Sequence, residues 1–267
     1  MAPTDGPTRA ERPLVAVHTW VDETDHYTAL SAAMGGVPIH SILPPLPDDG
    51  PMPRRVEEWV AHSRAHLVDL GLTPPYRIIG WSFGGVVALE LARALRDEGA
   101  PVEFVGLIDS TRPRLLPASD SEFVWHHLGA AAAMSAGARG AYLRQKLGYL
   151  LVRRYPRLGG TLRAALVRLG YRRGRDKPYS VRPTDPAMVS VHTSYLNYRG
   201  AAVDFPVHLY ATEPSLRKAR EPALRWVPTL HAGFELQRIA GEHFTLFEPD
   251  AIDSLATALA RSLARID

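Results

Sequence analysis

Tyr76-Arg77-Ile78-Ile79-Gly80-Trp81-Ser82-Phe83-Gly84-Gly85-Val86-Val87-Ala88-Leu89-Glu90-Leu91-Ala92 joins a short apolar strand to a long apolar helix through a Gly-x-Ser-x-Gly turn. A bare Gly-x-Ser-x-Gly is a weak pattern, because a glycine-rich turn with a capping serine has the same letters. The flanks decide between the two readings. β-Branched residues precede the turn and an apolar helix follows it, which is the context of a nucleophile elbow. There the serine is pushed out of the sheet into a cleft, the glycines leave room for the tight backbone, and the N–H after the serine faces a developing oxyanion.

Working outward, Leu14-Val15-Ala16-Val17 reads as a buried strand and Pro38 to Leu43 as a second. Val56, Trp59, Val60, Leu67 and Leu70 share one helical face, so residues 54–70 read as a helix that Gly71 stops. After the elbow, a helix over Gly84–Arg96 ends at Gly99, and the strand Val102–Ile108 delivers Asp109 at its carboxyl end. Together with the elbow, this alternation predicts an α/β-hydrolase fold: a mainly parallel sheet with helices on both faces and an active site at the carboxyl ends of the strands. Past Pro113 the alternation breaks, and residues 120–175 read as helical throughout. The sheet resumes with Pro206–Tyr210 and Phe234–Ile239, and a last helix carries Ile252, Leu255, Leu259, Leu263 and Ile266 on one face. The expected organisation is a flexible leader over residues 1–12, a core over 13–113 and 184–267, and a helical lid insertion over 114–183 that shapes the cleft mouth.

At 267 residues and 46% hydrophobic, the chain can bury one full core. It has no cysteine, which excludes a disulfide, a thiolate-bound metal and a cysteine nucleophile. Any covalent chemistry falls to serine. No long uninterrupted apolar stretch is present, and Met1 to Pro7 lacks the pattern of a signal peptide, so a soluble, cytoplasmic, free-standing protein is expected, without a membrane partner. The formal net charge of +3 hides an asymmetry: from Arg139 to Lys177 there are twelve Lys or Arg against one acid, Asp176. Such a run is usually a solvated helix face, and its sharper reading is a contact surface for an acidic partner or a phosphate-bearing substrate. Its tyrosines recur irregularly and no nucleic-acid-binding motif accompanies them, so nucleic acid is not expected.

A serine hydroxyl needs a base to take its proton and a carboxylate to hold that base in the right tautomer. Among eleven histidines, only His243 lies in a Gly-Glu-His turn between a strand and the terminal helix, where the Ser…Asp…His order puts the base. His126, His127, His192, His208 and His231 read as structural or surface residues. His18 ends the first strand and reads either as a pocket residue or as a loop anchor. Two carboxylates compete as the acid: Asp109, and Glu213 after the strand Val207–Tyr210. Strand-end position alone does not decide between them.

The stretch Pro75 to Glu90, the segment Gly106-Leu107-Ile108-Asp109-Ser110 and the ending Ile239-Ala240-Gly241-Glu242-His243-Phe244-Thr245-Leu246-Phe247-Glu248 resemble the thioesterase domains of non-ribosomal peptide and polyketide synthases. The likeness covers roughly residues 13–112 and 186–262, with elbow, acid and histidine segments in matching order. It implies Ser82 as nucleophile, His243 as base and Asp109 as acid. It further implies a small-molecule acyl substrate carried as a thioester on the phosphopantetheine of a partner acyl or peptidyl carrier protein, and no cofactor or metal of the chain's own. Hydrolysis, cyclisation and transfer to an amine or hydroxyl all share the acyl-enzyme. Because such carriers are acidic, Arg144, Lys146, Arg153 and Arg154 are candidate docking residues.

The chain departs from the family in the loop after the first strand, which reads His18-Thr19-Trp20-Val21-Asp22-Glu23-Thr24-Asp25 in place of a segment with Pro and Gly. A gap-free match puts an oxyanion-binding backbone N–H on Trp20, partnered by that of Phe83. The acids of this loop read as solvated, or as an attraction for a cationic substrate or amine nucleophile. Trp81 and Glu213 are further candidate pocket residues, and an elbow with Trp81 and Phe83 looks more like product-releasing domains than proofreading ones. Two rival readings stand beside this one: another serine esterase or acyltransferase on the same fold, and a non-catalytic binding protein that uses the basic segment.

Overall fold

A computed structural model describes residues 12–19, 23–113, 139, 140, 143, 186–219 and 221–266, and every structural statement below concerns these. The chain divides into two compact units, Met1–Pro113 with Pro183–Asp267, and Arg114–Arg182. In the second unit residues 139, 140 and 143 are helical, and the rest of the expected lid lies outside the described residues, together with Arg144, Lys146, Arg153 and Arg154.

The first unit is built on six strands, β1 (Leu14–Val17), β2 (Ile39–Ile42), β3 (Tyr76–Trp81), β4 (Val102–Ile108), β5 (Val207–Thr212) and β6 (Phe234–Ile239). All neighbouring pairs are parallel, in the order β2-β1-β3-β4-β5-β6, so β3 lies inside the sheet between β1 and β4. Its helices are α1 (Glu23–Ala33), α2 (Val56–Asp69), α3 (Phe83–Asp97), α4 (Pro186–Asn197), α5 (Glu213–Ala219) and α6 (Ile252–Leu263).

Both faces of the sheet are buried, which is why its strands read as continuous apolar runs rather than alternating ones. Alternation still governs where each side chain goes. Val15, Val17, Ile78, Leu107 and Leu209 face a core shared with α2, α3 and Tyr198 beyond the end of α4. Leu14, Ala16, Ile79, Trp81, Ile108 and Tyr210 face the opposite core, closed by Tyr27 and Leu30 of α1 and by Leu255 and Leu259 of α6. Helix α4 is pinned by hydrogen bonds from Trp59 Nε1 to Ser194 Oγ at 3.1 Å, from Tyr195 Oη to the Thr111 carbonyl at 2.9 Å and from Ser190 Oγ to the Pro53 carbonyl. Just beyond it, Tyr198 Oη donates to the buried Glu90 at 2.8 Å.

One expectation fails here. Glu23 and Asp25 belong to no solvated loop: they open helix α1. The sequence hides this helix because it buries little more than Tyr27 and Leu30, too few apolar residues to mark a periodic face.

Helix α3 comes unusually close to the sheet. A Cβ on Gly84 would stand 2.5 Å from the Val17 carbonyl oxygen, and one on Gly85 would stand 2.5 Å from Ser110 Cβ. No side chain larger than hydrogen fits at either place without moving backbone. Gly85→Val is therefore expected to lower the unfolding free energy by about 1–3 kcal/mol, the usual cost of overpacking, in chemical denaturation followed by circular dichroism. A midpoint equal to that of the wild type would contradict this account of the helix–sheet contact.

Candidate active site

Ser82 stands between β3 and α3 with φ 55° and ψ −122°, a left-handed conformation that a non-glycine residue adopts only when its surroundings force it. The strand fixes it from one side, where its N–H donates to the Ile108 carbonyl at 3.0 Å, and the close approach of α3 fixes it from the other. Its hydroxyl makes no cap bond to the helix. It is aimed instead at His243, whose Nε2 lies 3.1 Å from Ser82 Oγ.

His243 follows β6 in a turn closed by hydrogen bonds from the Thr245 N–H to the Glu242 carbonyl and from the Glu242 N–H to Thr245 Oγ1, both at 3.0 Å. Its other nitrogen, Nδ1, lies 2.7 Å from Asp109 Oδ2. Asp109 caps β4 with φ 42°, and its side chain is fully buried. Four donors converge on this carboxylate: the Thr212 N–H at 2.9 Å and Thr212 Oγ1 at 3.2 Å on Oδ1, and Ser215 Oγ at 2.6 Å and His243 Nδ1 on Oδ2. Burial is the largest single influence on its pKa and pushes it up, but the hydrogen bonds from His243, Ser215 and the Thr212 backbone together outweigh it and hold the carboxyl below its usual range. An ionised Asp109 accepts only, so Nδ1 carries the ring proton and Nε2 is left as an acceptor for the serine hydroxyl.

Sequence reasoning misses Thr212 and Ser215, because neither belongs to a motif. A signal was available in their position at the end of β5, beside the strand that ends in Asp109. The competing acid is elsewhere: Glu213 opens α5, is exposed, and pairs with Arg238 at 3.3 Å.

Ser82, Asp109 and His243 open onto a cavity of about 330 Å³, at the small end for ligand sites. Phe83, Met188, Val191 and Tyr195 give it apolar walls, while His192, Ser215, Lys218 and Arg225 supply its polar ones. His18, Trp81 and Glu213, expected as pocket residues, are not among those lining it. Strand alternation explains the first two. Trp81 points to the opposite face of the sheet from the α3 side, where its ring packs 5.1 Å from that of His243. His18 follows the same parity as Leu14 and Ala16 and is buried 4.8 Å from the Tyr27 ring. Conversely, His192 was read as a structural or surface residue and lines the cavity.

Of the two expected oxyanion donors, Trp20 lies outside the described residues. Phe83 is the first residue of α3, where a backbone N–H has no acceptor within the helix. That N–H and the positive end of the helix axis are suited to a negative oxygen formed beside Ser82. Among the described residues, no group of three His, Asp or Glu could hold a metal ion, and no helix is long and apolar enough to cross a membrane.

Residues 12–126 match the profile of the thioesterase domain. The chain is 29% identical over 215 residues to the orsellinic acid synthase ArmB of Armillaria mellea, a match spanning 79% of this chain and 9% of that protein. It is 33% identical over 89 residues to the vanchrobactin synthetase VabF of Vibrio anguillarum, spanning 33% of this chain and 3% of the synthetase. The chain thus spans under a tenth of the length of these curated relatives. Among solved structures, the thioesterase domain of NocB from the nocardicin cluster superposes with a TM-score of 0.59 at 22% identity, covering 94% of this chain and 93% of that one. The RedJ thioesterase of the prodiginine pathway in Streptomyces coelicolor gives 0.56 at 19% identity, covering 93% and 85%. At these identities the structural likeness establishes the fold.

The burial of His18 has a consequence for acid stability. Burial first, and repulsion from His26 second, lower its pKa to about 4 from the ordinary 6.5. As pH falls from 6.5 toward 4 the unfolded chain takes up a proton that the folded protein refuses, so this contribution is complete above pH 6.5 and lost on acidification. The shift corresponds to about 3 kcal/mol. Urea unfolding between pH 7 and 4 is expected to show a loss of that order in the wild type beyond the loss in His18→Leu. Parallel pH profiles for the two proteins would refute it.

Proposed function

We propose that this chain, whose residues 12–126 match the thioesterase domain profile, is a serine thioesterase that takes an acyl or peptidyl group from the phosphopantetheine thioester of a carrier protein in natural-product biosynthesis. The observation that carries the reading is the unbroken hydrogen-bonded line from Ser82 Oγ through His243 to Asp109, opening onto a cavity. His243 Nε2 takes the hydroxyl proton as Ser82 Oγ adds to the thioester carbonyl, and the Phe83 N–H, with that of Trp20 as its expected partner, receives the oxyanion. The imidazolium that forms is stabilised by the buried Asp109 carboxylate and passes its proton to the departing thiolate. The acyl group is now an ester of Ser82. His243, neutral again, activates water or an amine or hydroxyl of the acyl group or a second molecule, which releases the product and restores the serine.

The direct test is intact-mass analysis after mixing with acyl N-acetylcysteamine and acyl carrier-protein thioesters. A transient acyl adduct is expected on the wild type and none on Ser82→Ala, and the released free acid, ring or amide identifies the accepting nucleophile. Asp109→Asn should lower kcat by about 10³–10⁴, through loss of the correct imidazole tautomer, while Glu213→Gln stays within about twofold. An adduct that persists on Ser82→Ala, or a larger loss in Glu213→Gln than in Asp109→Asn, overturns the assignment.

The basic segment from Arg139 to Lys177 is proposed to receive the acidic surface of the carrier. Reversing Arg144, Lys146, Arg153 and Arg154 together should depress kcat/KM on carrier-bound substrate at least about tenfold more than on the soluble thioester of the same acyl group. Equal losses on both substrates would assign the segment no part in docking.

A further inference from the structure

Taking the thioesterase reading as its premise, we propose that the Ser82 cavity selects an acyl group bearing a carboxylate at its far end, held by Lys218 and Arg225. The charges on the cavity wall carry this inference. Lys218 and Arg225 line it, and the only carboxylate among its described lining residues is Asp109. That carboxylate is buried and committed to four donors, including His243. Among the described residues the lining is therefore apolar at Phe83, Met188, Val191 and Tyr195, with the two cations Lys218 and Arg225 beside it. A site with that lining attracts an anion and repels an ammonium group.

The two cations are placed differently. Lys218 sits in the last turn of α5, is exposed at the cavity rim, and forms no ion pair among the described residues. Its flexible stem lets the ammonium follow a carboxylate over a range of acyl lengths. Arg225 is fixed. It closes a run of three non-glycine residues in the left-handed region, Ala223 at φ 48°, Leu224 at 51° and Arg225 at 72°, and the first two are buried. Each such residue costs on the order of 1–3 kcal/mol, so the surrounding packing must hold this turn in place. Its guanidinium is braced on the carbonyls of Ala219 at 3.4 Å and Arg112 at 3.5 Å, with Glu221 at 3.8 Å. Glu221 is exposed, and a second carboxylate can share the planar guanidinium with it.

Phosphate on a pantetheine arm has related chemistry, and N-acetylcysteamine thioesters, which lack phosphate, separate the two sources. The probes are three such thioesters of one chain length: adipoyl, with a terminal carboxylate; its neutral terminal amide; and 6-aminohexanoyl, with an ammonium. Wild-type kcat/KM should fall in that order, with adipoyl favoured over the amide by about tenfold, as for a charge-assisted hydrogen bond in a partly enclosed site. Lys218→Met should cut the adipoyl-to-amide ratio several-fold, Lys218→Glu should reverse the order of adipoyl and 6-aminohexanoyl, and Arg225→Gln should reduce the ratio independently. A wild type indifferent to terminal charge, or a preference unaltered in both Lys218 variants, overturns the proposal. If the same acyl groups on a carrier protein, whose pantetheine arm bears the phosphate, are the only substrates to respond to Lys218, the cations serve the arm and not the acyl group, which also overturns it. A parallel series of fluorophosphonates with anionic, neutral and cationic tails, read as rates of Ser82 labelling by intact mass, reports the same charge preference even if none of the thioesters is turned over. The two readings can therefore fail separately.

Discussion

Everything in the site depends on how closely α3 approaches the sheet. Ser82 can stand proud of β3 in a left-handed conformation only because the helix that follows starts almost on top of the neighbouring strands. The two points of closest approach are informative in themselves. Gly84 lies over the Val17 carbonyl at the end of β1, and Gly85 over Ser110 just past the end of β4. The contacts that force the elbow therefore also bring to the serine the loop after β1 and the residue before Ser110, which is Asp109. Proximity of nucleophile and acid is a by-product of packing one helix across three parallel strands.

The second dependence is electrostatic. A carboxylate with no exposed surface would ordinarily be expected to take up a proton, since burial is the strongest influence on Asp109. It remains a base for hydrogen bonds because β5 and the start of α5 aim Thr212 and Ser215 at it, alongside His243. The proposed acid thus rests on a strand and a helix that contribute no reacting atom. Removing water from this carboxylate strengthens its hold on the imidazolium, and the converging donors make that removal tolerable.

The sheet and the three side chains that it lines up, Ser82, His243 and Asp109, were legible in the sequence for distinct reasons. Strands buried on both faces leave unbroken apolar runs, Asp109 was set apart from Glu213 by resemblance and not by its place at a strand end, and the elbow and the Gly-Glu-His turn carry local signatures. Helix α1 carried none, since two buried residues in eleven do not make a period. The orientation of His18 and Trp81 was readable in principle, by counting parity along β1 and β3, because side chains one residue apart face opposite cores. The cavity wall was not readable. His192, Lys218 and Arg225 come from α4, α5 and a turn after it, and only the folded sheet brings them to one place.

That wall bears on the energetics of acyl transfer. In the proposed reaction, addition of Ser82 to a thioester separates charge, creating an oxyanion near Phe83 and an imidazolium on His243. Cations lining the same cavity favour the first and oppose the second, so with an uncharged acyl group part of what Lys218 and Arg225 give the oxyanion is taken back at the base. In the proposed complex a distal carboxylate pairs with those cations before any bond is made. The imidazolium then feels mainly Asp109, and the oxyanion relies on backbone N–H groups that need no reorganisation. A carboxylate far from the reacting carbon in this way restores to the triad the charge balance that its own three residues are built to hold, and binding energy from a remote part of the substrate is expressed at the bond that breaks.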